Sequence, residues 1–276
     1  MVDLNLNTKW LIESDKLGED IPLLVKEIKK QGFECKVITD SVYSDIKWSD
    51  LYKSTDCVIF YGSIGMGGLI RRTNWIPGLY SNLHNYDVSY YFPAFNKFLL
   101  NSEYALIPYG DLLNKKEWIF RTFSSKDAVF IKPNSGYKRF TGKLVYIEYY
   151  DRDVEIFGAG GIRSEELVLV SPPYNILEEY RFFIVDNKVI SGTEYKPDKV
   201  ELKNNHEAWL FAEKVLSEVD YSPDRAWTLD ICKTAYDYYV LEIGCFSCAG
   251  LYKANLEPIV KEVSRVAFED YKDFYE

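Results

Sequence analysis

Apolar residues in the first hundred positions follow two spacings. Residues 10–12, 35–38 and 57–61 are rich in apolar and β-branched side chains over a few positions, as in buried strands. Between Asp20 and Gly32 the apolar residues instead recur at helical spacing, so we expect Asp20 to cap a helix and Gly32 to end it. Short apolar strands separated by helices predict a parallel α/β sheet.

A strand-rich pattern begins at residue 129. Asp186 and Asn187 tolerate left-handed dihedral angles, so they predict a hairpin turn between two strands. Asn204 or Asn205 is expected to cap the following helix, and a last helix is expected over residues 255–268. The expected strands are residues 129–132, 144–149, 167–170, 180–185 and 188–195.

The predicted fold class is therefore α/β and α+β. A shift in composition near residues 90–93 marks the end of a parallel α/β N-terminal domain over residues 1–95. Residues 96–276 are expected to form a second domain, with a central lobe over 96–170 and a C-terminal lobe over 171–276.

Composition and charge exclude several classes of function. The 276 residues are 47% hydrophobic and 27% charged, as in a folded globular protein. A net charge of -9 argues against a nucleic-acid partner, which would require a basic face. We expect no membrane span and no signal peptide, because no apolar run is long enough and the first residues are polar. Five cysteines, an odd count, predict reduced thiols and a cytoplasmic protein.

Lys132 lies in the apolar segment Phe130 to Pro133, and a basic loop over residues 134–143 follows it. An ammonium group among apolar neighbours needs a polar partner, and a phosphate oxygen would serve. The alternative is an edge-strand lysine that extends to solvent. We expect the loop to be flexible and to close over a triphosphate, although any basic turn has this composition. Its candidate contacts are Ser135, Lys138 and Lys143.

The strand expected at residues 167–170 ends in a rigid Pro172-Pro173 corner. Backbone N–H and C=O groups at such a strand edge are strong hydrogen-bonding groups. An adenine ring can pair with them, which makes Val170 and Ser171 candidate nucleotide contacts.

Arg181 and Lys196 lie in the two strands that the predicted hairpin pairs. If their register brings both cations to one face, an anion must lie between them, and phosphate is the natural one. Ion pairing is the alternative, and its candidate partners are Glu178, Glu179 and Glu194.

Asp230 and Glu242 lie in two segments that predict neighbouring strands of a hairpin. Two carboxylates brought face to face repel each other unless a cation lies between them, and magnesium prefers oxygen ligands. Solvated strand residues are the alternative. The order of a strand lysine, a basic loop and two late carboxylates suits a magnesium nucleotide.

This ordered set resembles the ATP-grasp superfamily, and specifically its clade named for one arginine and two lysines. The resemblance covers residues 96–252 and is carried by FIKP, the basic loop, EEYRFFIVDNKVISGTEYK, LDI and VLEIG. It implies that Lys132 contacts ATP phosphate and that Lys97 is the family's other early lysine. Arg181 and Lys196 would be the clade's arginine and its second lysine, with catalytic roles.

The resemblance also implies the remaining ligands. Asp230 and Glu242 would bind magnesium, and Glu179 completes the set of expected ATP contacts. The family commonly carries Glu-x-Asn at the last position, whereas this chain has Glu242-Ile243-Gly244. That departure removes one oxygen ligand and puts a second metal ion, or the geometry of that ion, in doubt.

The implied reaction is ATP-dependent ligation of a carboxylate to an amine through an acyl phosphate, with magnesium, forming an amide or peptide bond. The expected partners are small-molecule or peptide carboxylates and amines, and a homodimer is an admissible assembly. Two alternatives stay open. Gly244 favours a non-catalytic nucleotide-binding module of the same fold, and a phosphotransferase would stop at a phosphorylated product.

Overall fold

The computed structural model describes residues 7–14, 20–39 and 47–276. Within these residues, the strands in chain order are β1 (Lys9–Glu13), β2 (Glu34–Ile38), β3 (Cys57–Tyr61), β4 (Ile76–Gly78), β5 (Ala105–Pro108), β6 (Ala128–Pro133), β7 (Lys143–Tyr146), β8 (Leu167–Ser171), β9 (Glu178–Val185), β10 (Lys188–Lys196), β11 (Val200–Glu201), β12 (Ala226–Lys233) and β13 (Tyr238–Cys245). The helices are α1 (Ile21–Lys30), α2 (Trp48–Leu51), α3 (Ile64–Ile70), α4 (Val88–Phe95), α5 (Lys116–Phe123), α6 (Tyr150–Gly158), α7 (Glu207–Glu218) and α8 (Leu256–Tyr275).

The chain divides into two compact units. The first contains Met1–Asn82, Glu178–Ile231 and Glu242–Glu276, and the second contains Leu83–Leu177 and Cys232–Leu241. The predicted domain boundary after residue 95 stays a prediction, because compactness alone does not define an independently folding domain.

The first unit contains a parallel sheet with the strand order β2-β1-β3-β4, which confirms the predicted α/β architecture. Every residue of β3 is buried, as expected for a strand covered on both faces. Asp20 occupies the N-cap position of α1, but its side chain makes no capping hydrogen bond. Pro22 in the first turn lacks one of the two N–H groups that such a cap can use. Gly32 ends the helix region with a φ of +87°.

A second sheet of the first unit has the order β11-β10-β9-β12-β13, and the ends of its last two strands belong to the second unit. The predicted hairpin between β9 and β10 is confirmed, because Asp186 and Asn187 adopt φ values of +46° and +59°. The core of the unit combines residues from both sheets and α8, including Trp10, Tyr61, Phe183, Phe246, Ile259 and Val263.

The second unit is built on an antiparallel sheet with the order β5-β8-β6-β7. Helices α5 and α6 cover it with apolar side chains at helical spacing. Its core includes Phe120, Val129, Ile131, Val154, Phe157 and Val168.

Three predicted boundaries move. β7 ends at Tyr146, because the next three residues form a 3₁₀ turn. α7 begins after His206, whose ring nitrogen accepts a backbone N–H in the first turn, in place of either predicted asparagine. α8 extends to Tyr275 rather than to residue 268. No helix in residues 7–14, 20–39 or 47–276 is both long and apolar enough to span a bilayer.

Candidate functional site

Lys132 lies on β6 in the second unit, opposite Leu169 of β8. Its neighbour Ile131 is fully buried, and its own side chain is half-buried with Nζ 3.5 Å from the Tyr91 hydroxyl. A β-carbon on Gly142 would lie 2.9 Å from the Lys132 Cβ. The end of the basic loop can therefore pass this close to Lys132 only because glycine stands there.

The basic loop is anchored at its start. The backbone N–H of Ser89 donates to Asn134 Oδ1 at 2.8 Å, and the N–H of Gly136 donates to Asp87 Oδ1 at 2.9 Å. A β-carbon on Gly136 would come within 2.5 Å of the Leu83 carbonyl oxygen, so the two backbones approach closely. The expectation of a flexible loop needs correction at this start, where hydrogen bonds hold the chain.

The three loop candidates have different surroundings. The Ser135 hydroxyl accepts the N–H of Tyr137 at 3.2 Å, and Lys138 is exposed with a φ of +49°. Lys143 Nζ lies 3.0 Å from Oδ2 of Asp153, whose carboxylate is almost fully buried. Because a buried carboxylate needs a cation, Lys143 has a structural partner that a phosphate would have to displace.

Val170 and Ser171 end β8. Val170 lies opposite Ala105 of β5 on one side and Ile131 of β6 on the other, so this part of the strand is central. The Ser171 hydroxyl is fully buried and accepts a hydrogen bond from Asn101 Nδ2 at 2.7 Å. The expectation that Val170 lies at a strand edge is therefore wrong. An adenine contact at Ser171 stays a prediction.

Lys97 lies in the 3₁₀ turn Asn96–Phe98, directly after α4. Helix α4 ends at Phe95, so Lys97 lies outside it. The Lys97 side chain is exposed, with Nζ 4.9 Å from the centroid of the Phe98 ring. Its contact with ATP stays a prediction.

Arg181 and Asp230 form a buried ion pair between β9 and β12 of the first unit. Nε and Nη2 of the arginine donate to the two carboxylate oxygens at 2.8 and 2.6 Å. Arg181 is only 8% exposed and Asp230 only 2%. Burial alone would lower the pKa of Arg181, but the Asp230 charge and hydrogen bonds raise that pKa above its ordinary value. The guanidinium is therefore a permanent cation in a fixed place.

Lys196 and Glu179 lie opposite each other in the β9–β10 hairpin. Lys196 Nζ lies 2.6 Å from Glu179 Oε1, and the Tyr195 hydroxyl donates to Glu179 Oε2 at 2.9 Å. The ion-pairing alternative is therefore correct for Lys196. Arg181 is also paired, but with Asp230, which the resemblance assigns to magnesium. Each cation has its own carboxylate, so neither needs a phosphate to balance its charge.

Two tyrosines that carry no sequence signal of a functional role complete this cluster. The rings of Tyr195 and Tyr252 stack with centroids 4.7 Å apart and planes at 11°. Burial raises the pKa of Tyr195, and the negative charge of Asp230 adds to the rise. No local pattern marks Tyr252, because it follows β13 and reaches Arg181 only through the fold.

Asp230 and Glu242 lie on the adjacent strands β12 and β13, as predicted. Carboxylate oxygens are ligands that suit magnesium. The charge of Arg181 nevertheless opposes a second cation there. In the part of the chain that the structure describes, no three His, Cys, Asp or Glu side chains are grouped to hold a metal. The magnesium ligands therefore stay a prediction.

One protein-family model matches the chain. It describes the ATP-grasp domain of family 2 in the clade named for one arginine and two lysines. The model matches residues 114–261, more than half of the sequence. The chain belongs to this ATP-grasp family. The resemblance drawn from the sequence is thereby confirmed. The matched segment of this ATP-grasp protein contains these predicted site residues: Lys132, Arg181, Lys196, Asp230 and Glu242.

Solved structures of ATP-grasp and related enzymes have similar folds. The D-cycloserine synthetase DcsG superposes with a TM-score of 0.63 at 13% identity, covering 94% of this chain and 99% of that one. The ATP-grasp ligase PsnB, complexed with the precursor peptide PsnA2 and AMPPNP, gives 0.54 at 10% identity, covering 98% and 99%. The D-alanine–D-alanine ligase from Bacillus anthracis gives 0.51 at 15% identity, covering 96% of each chain. At these identities the similarity shows the fold alone, and comparison with curated proteins gives no match.

Proposed function

We propose that this ATP-grasp protein is an ATP-dependent carboxylate–amine ligase that forms an amide or peptide bond through an acyl phosphate. The observation that carries the proposal is the ATP-grasp family match over a segment containing Lys132, Lys196 and the Arg181–Asp230 pair. Proteins with similar folds support this reaction class, since they include a D-alanine–D-alanine ligase and an ATP-grasp ligase complexed with a precursor peptide.

The proposed reaction has two steps. A substrate carboxylate oxygen attacks the terminal phosphorus of ATP, the bond from that phosphorus to the bridging oxygen breaks, and ADP leaves. The amine nitrogen then attacks the acyl carbon and loses a proton, and phosphate leaves as the amide forms. Both steps need positioned reactants and neutralised charge, and neither needs a protein nucleophile.

We assign Arg181 the role of stabilising the negative charge that develops on the transferred phosphate. Its contacts with Asp230 and with the Gly250 carbonyl, the latter at 3.2 Å, occupy three of the five N–H groups of the guanidinium. We assign the other two to phosphate oxygens. A cation held in place before the reaction has no reorganisation to undergo in the transition state.

We assign Asp230 and Glu242 as the ligands of magnesium. A bound magnesium ion would neutralise phosphate oxygens. Because Arg181 already offsets the charge of Asp230, Glu242 supplies more of the net negative charge for the metal. A substitution of Glu242 therefore tests magnesium binding more directly than a substitution of Asp230.

Two other functions share the fold. A nucleotide-binding module without turnover is favoured by Gly244 and by the Arg181–Asp230 ion pair, in which both carboxylate oxygens already accept hydrogen bonds. A phosphotransferase would stop at the phosphorylated product. The fate of the phosphorylated intermediate separates the three.

The decisive measurement is ADP release with magnesium, ATP and a panel of carboxylates, each tested with and without an amine. A ligase releases ADP in an amine-dependent way, and hydroxylamine in place of the amine traps the acyl phosphate as a hydroxamate. A phosphotransferase releases ADP without any amine and accumulates the phosphorylated product. Binding of ATP without ADP release for any pair would support the binding module and contradict the ligase.

Lys132→Met provides the matching affinity test. Loss of a charge-assisted phosphate contact worth about 1.5–3 kcal/mol should weaken ATP binding roughly tenfold to a hundredfold, as measured by calorimetry. Lys126→Met is the control, because Lys126 is exposed in the turn before β6. Equal ATP affinity in the two variants would contradict the phosphate contact of Lys132.

A further inference from the structure

Arg181, Tyr195 and Tyr252 form a compact group in the first unit, which we call the arginine triangle. The Arg181 Cζ lies 5.6 Å from the Tyr195 ring centroid and 5.2 Å from that of Tyr252. The two rings stack on each other at 4.7 Å. Both arginine distances lie within the range of cation–π attraction, so each side of the triangle is an attractive contact.

Hydrogen bonds hold two members of the triangle, Arg181 and Tyr195, to residues around it. Asp230 accepts from Nε and Nη2 of Arg181, Gly250 O accepts from Nη1, and the Tyr195 hydroxyl donates to Glu179. A bidentate ion pair fixes one edge of a planar guanidinium but leaves tilt about that edge. The hydrogen bond to Gly250 and the two aromatic rings oppose this tilt. The ion pair and the rings therefore restrict different motions of the same group.

Tyr252 makes its contact from an unfavourable backbone conformation. Its φ is +52°, a left-handed value that bulky residues rarely adopt and that glycine or asparagine tolerate. A β-carbon on Gly250 would lie 3.2 Å from the Tyr252 Cζ, so the ring folds back over a position where glycine leaves room. A residue that only filled space would not need this conformation. Backbone outliers kept by their surroundings point to function.

We infer that Tyr252 is a positioning residue that, together with Tyr195, holds the Arg181 guanidinium in the orientation required by the transferred phosphate. The inference rests on the proposed ligase function. A displacement of about 1 Å in a positioning group can lower turnover on the order of a hundredfold. Tilt of the guanidinium would displace the two N–H groups assigned to the phosphate.

The matched pair Tyr252→Phe and Tyr252→Leu tests the inference. Both variants keep apolar bulk and the left-handed backbone, but only phenylalanine keeps an aromatic face for Arg181. We expect Tyr252→Phe to keep most of the turnover and Tyr252→Leu to lower kcat on the order of tenfold to a hundredfold, with KM for ATP changed by less than about threefold. Equal kcat in the two variants, at equal melting temperature, would overturn the inference.

Tyr252→Asn separates positioning from stability. Asparagine tolerates the left-handed conformation, so relief of strain should offset the lost ring packing and hold the melting temperature within about 3 °C of the wild type. Turnover should nevertheless fall as in Tyr252→Leu. A variant with wild-type turnover would overturn the inference. Tyr236→Asn is the control, because Tyr236 is 93% exposed.

A measurement that needs no substrate tests this inference separately from the proposed function. In protein labelled with 15N-arginine, the Arg181 Nε–H signal is assigned by its loss in Arg181→Lys. Its exchange with solvent should be slow in the wild type and in Tyr252→Phe, and faster by about fivefold or more in Tyr252→Leu. Unchanged exchange in Tyr252→Leu would overturn the arginine triangle as a positioning device. Absence of amine-dependent ADP release in the wild type would instead overturn the ligase function.

Discussion

Gly244 stands on β13 at the position where ATP-grasp proteins commonly carry asparagine, and the neighbouring strand supplies a physical reason for the glycine. Thr228 is fully buried on β12, and its hydroxyl donates to the Gly244 carbonyl at 3.1 Å. A β-carbon at Gly244 would lie 2.7 Å from the Thr228 Oγ1, closer than side-chain atoms normally approach. The glycine that stands in place of an amide ligand and the buried Thr228 thus belong to one packing arrangement.

This arrangement predicts a coupled pair of substitutions. Gly244→Asn should lower the free energy of unfolding by about 1–3 kcal/mol, because the new side chain overpacks against Thr228. Thr228→Ala should relieve the collision, so the double variant should lose less stability than the sum of the two single variants. Urea unfolding of all four proteins measures the coupling. Additive losses would show that the collision is absent.

Among the secondary-structure elements, the β9–β10 hairpin is tied to its surroundings through its turn. Asp186 accepts hydrogen bonds from Nε and Nη2 of Arg225 at 2.8 and 2.9 Å, and from Arg265 Nη2 at 2.8 Å. Arg265 lies on α8, where Glu269 binds both arginines. The turn residue therefore links the hairpin to the residue before β12 and to the last helix.

The hydrogen bonds from Arg225 hold the pKa of Asp186 below its ordinary value, and the one from Arg265 adds to the effect. A carboxyl with a depressed folded-state pKa stabilises the fold above its unfolded pKa, near 3.9, and loses that contribution as the pH falls through the lower folded value. Asp186→Asn should cost about 1 kcal/mol at pH 7, a modest figure because the group is one-third exposed. The cost should disappear as the pH falls well below 4.

Urea unfolding of wild type and variant between pH 7 and pH 2.5 measures this dependence. Asp127→Asn is the matched control, because Asp127 is exposed and also has a left-handed φ, of +57°. A cost for Asp186→Asn that stays constant over the pH range would contradict the ion-pair explanation.

For the whole molecule, the predicted site residues divide between the two compact units. The second unit contains Lys97, Lys132, Ser135, Lys138, Lys143, Val170 and Ser171. The first contains Glu179, Arg181, Lys196, Asp230 and Glu242. Nucleotide binding by the whole chain is therefore best tested by its effect on global stability.

Thermal and chemical unfolding with ATP, with and without magnesium, provides that test. A nucleotide at a hundredfold excess over its Kd should stabilise the fold by about 2.7 kcal/mol. Glu242→Gln should lose most of the magnesium-dependent part, yet without ligand it should be as stable as the wild type or more so, because a negative charge on the strand beside that of Asp230 is removed. Glu201→Gln, at an exposed position of β11, is the control. No magnesium-dependent shift in the wild type would contradict the shared metal.

The sequence by itself determined the elements and the family. Apolar spacing predicted the parallel strands and the helices, and the left-handed tolerance of Asp186 and Asn187 predicted the hairpin, because these are properties of neighbouring residues. The order of Lys132, Arg181 and Asp230 along those elements identified the ATP-grasp fold. The missing capping hydrogen bond of Asp20 at α1 and the start of α7 after His206 depend on single local contacts and were not predicted.

Only the tertiary structure decided which charges meet. Arg181 pairs with Asp230, 49 residues further along the chain, because β12 is the neighbour of β9 in the sheet. Tyr252 reaches the same arginine from beyond β13. The pattern along one strand reports which of its residues are buried, but it contains no information on which strand lies beside it. Partner choice is a property of strand order, and strand order is set by the packing of the whole core.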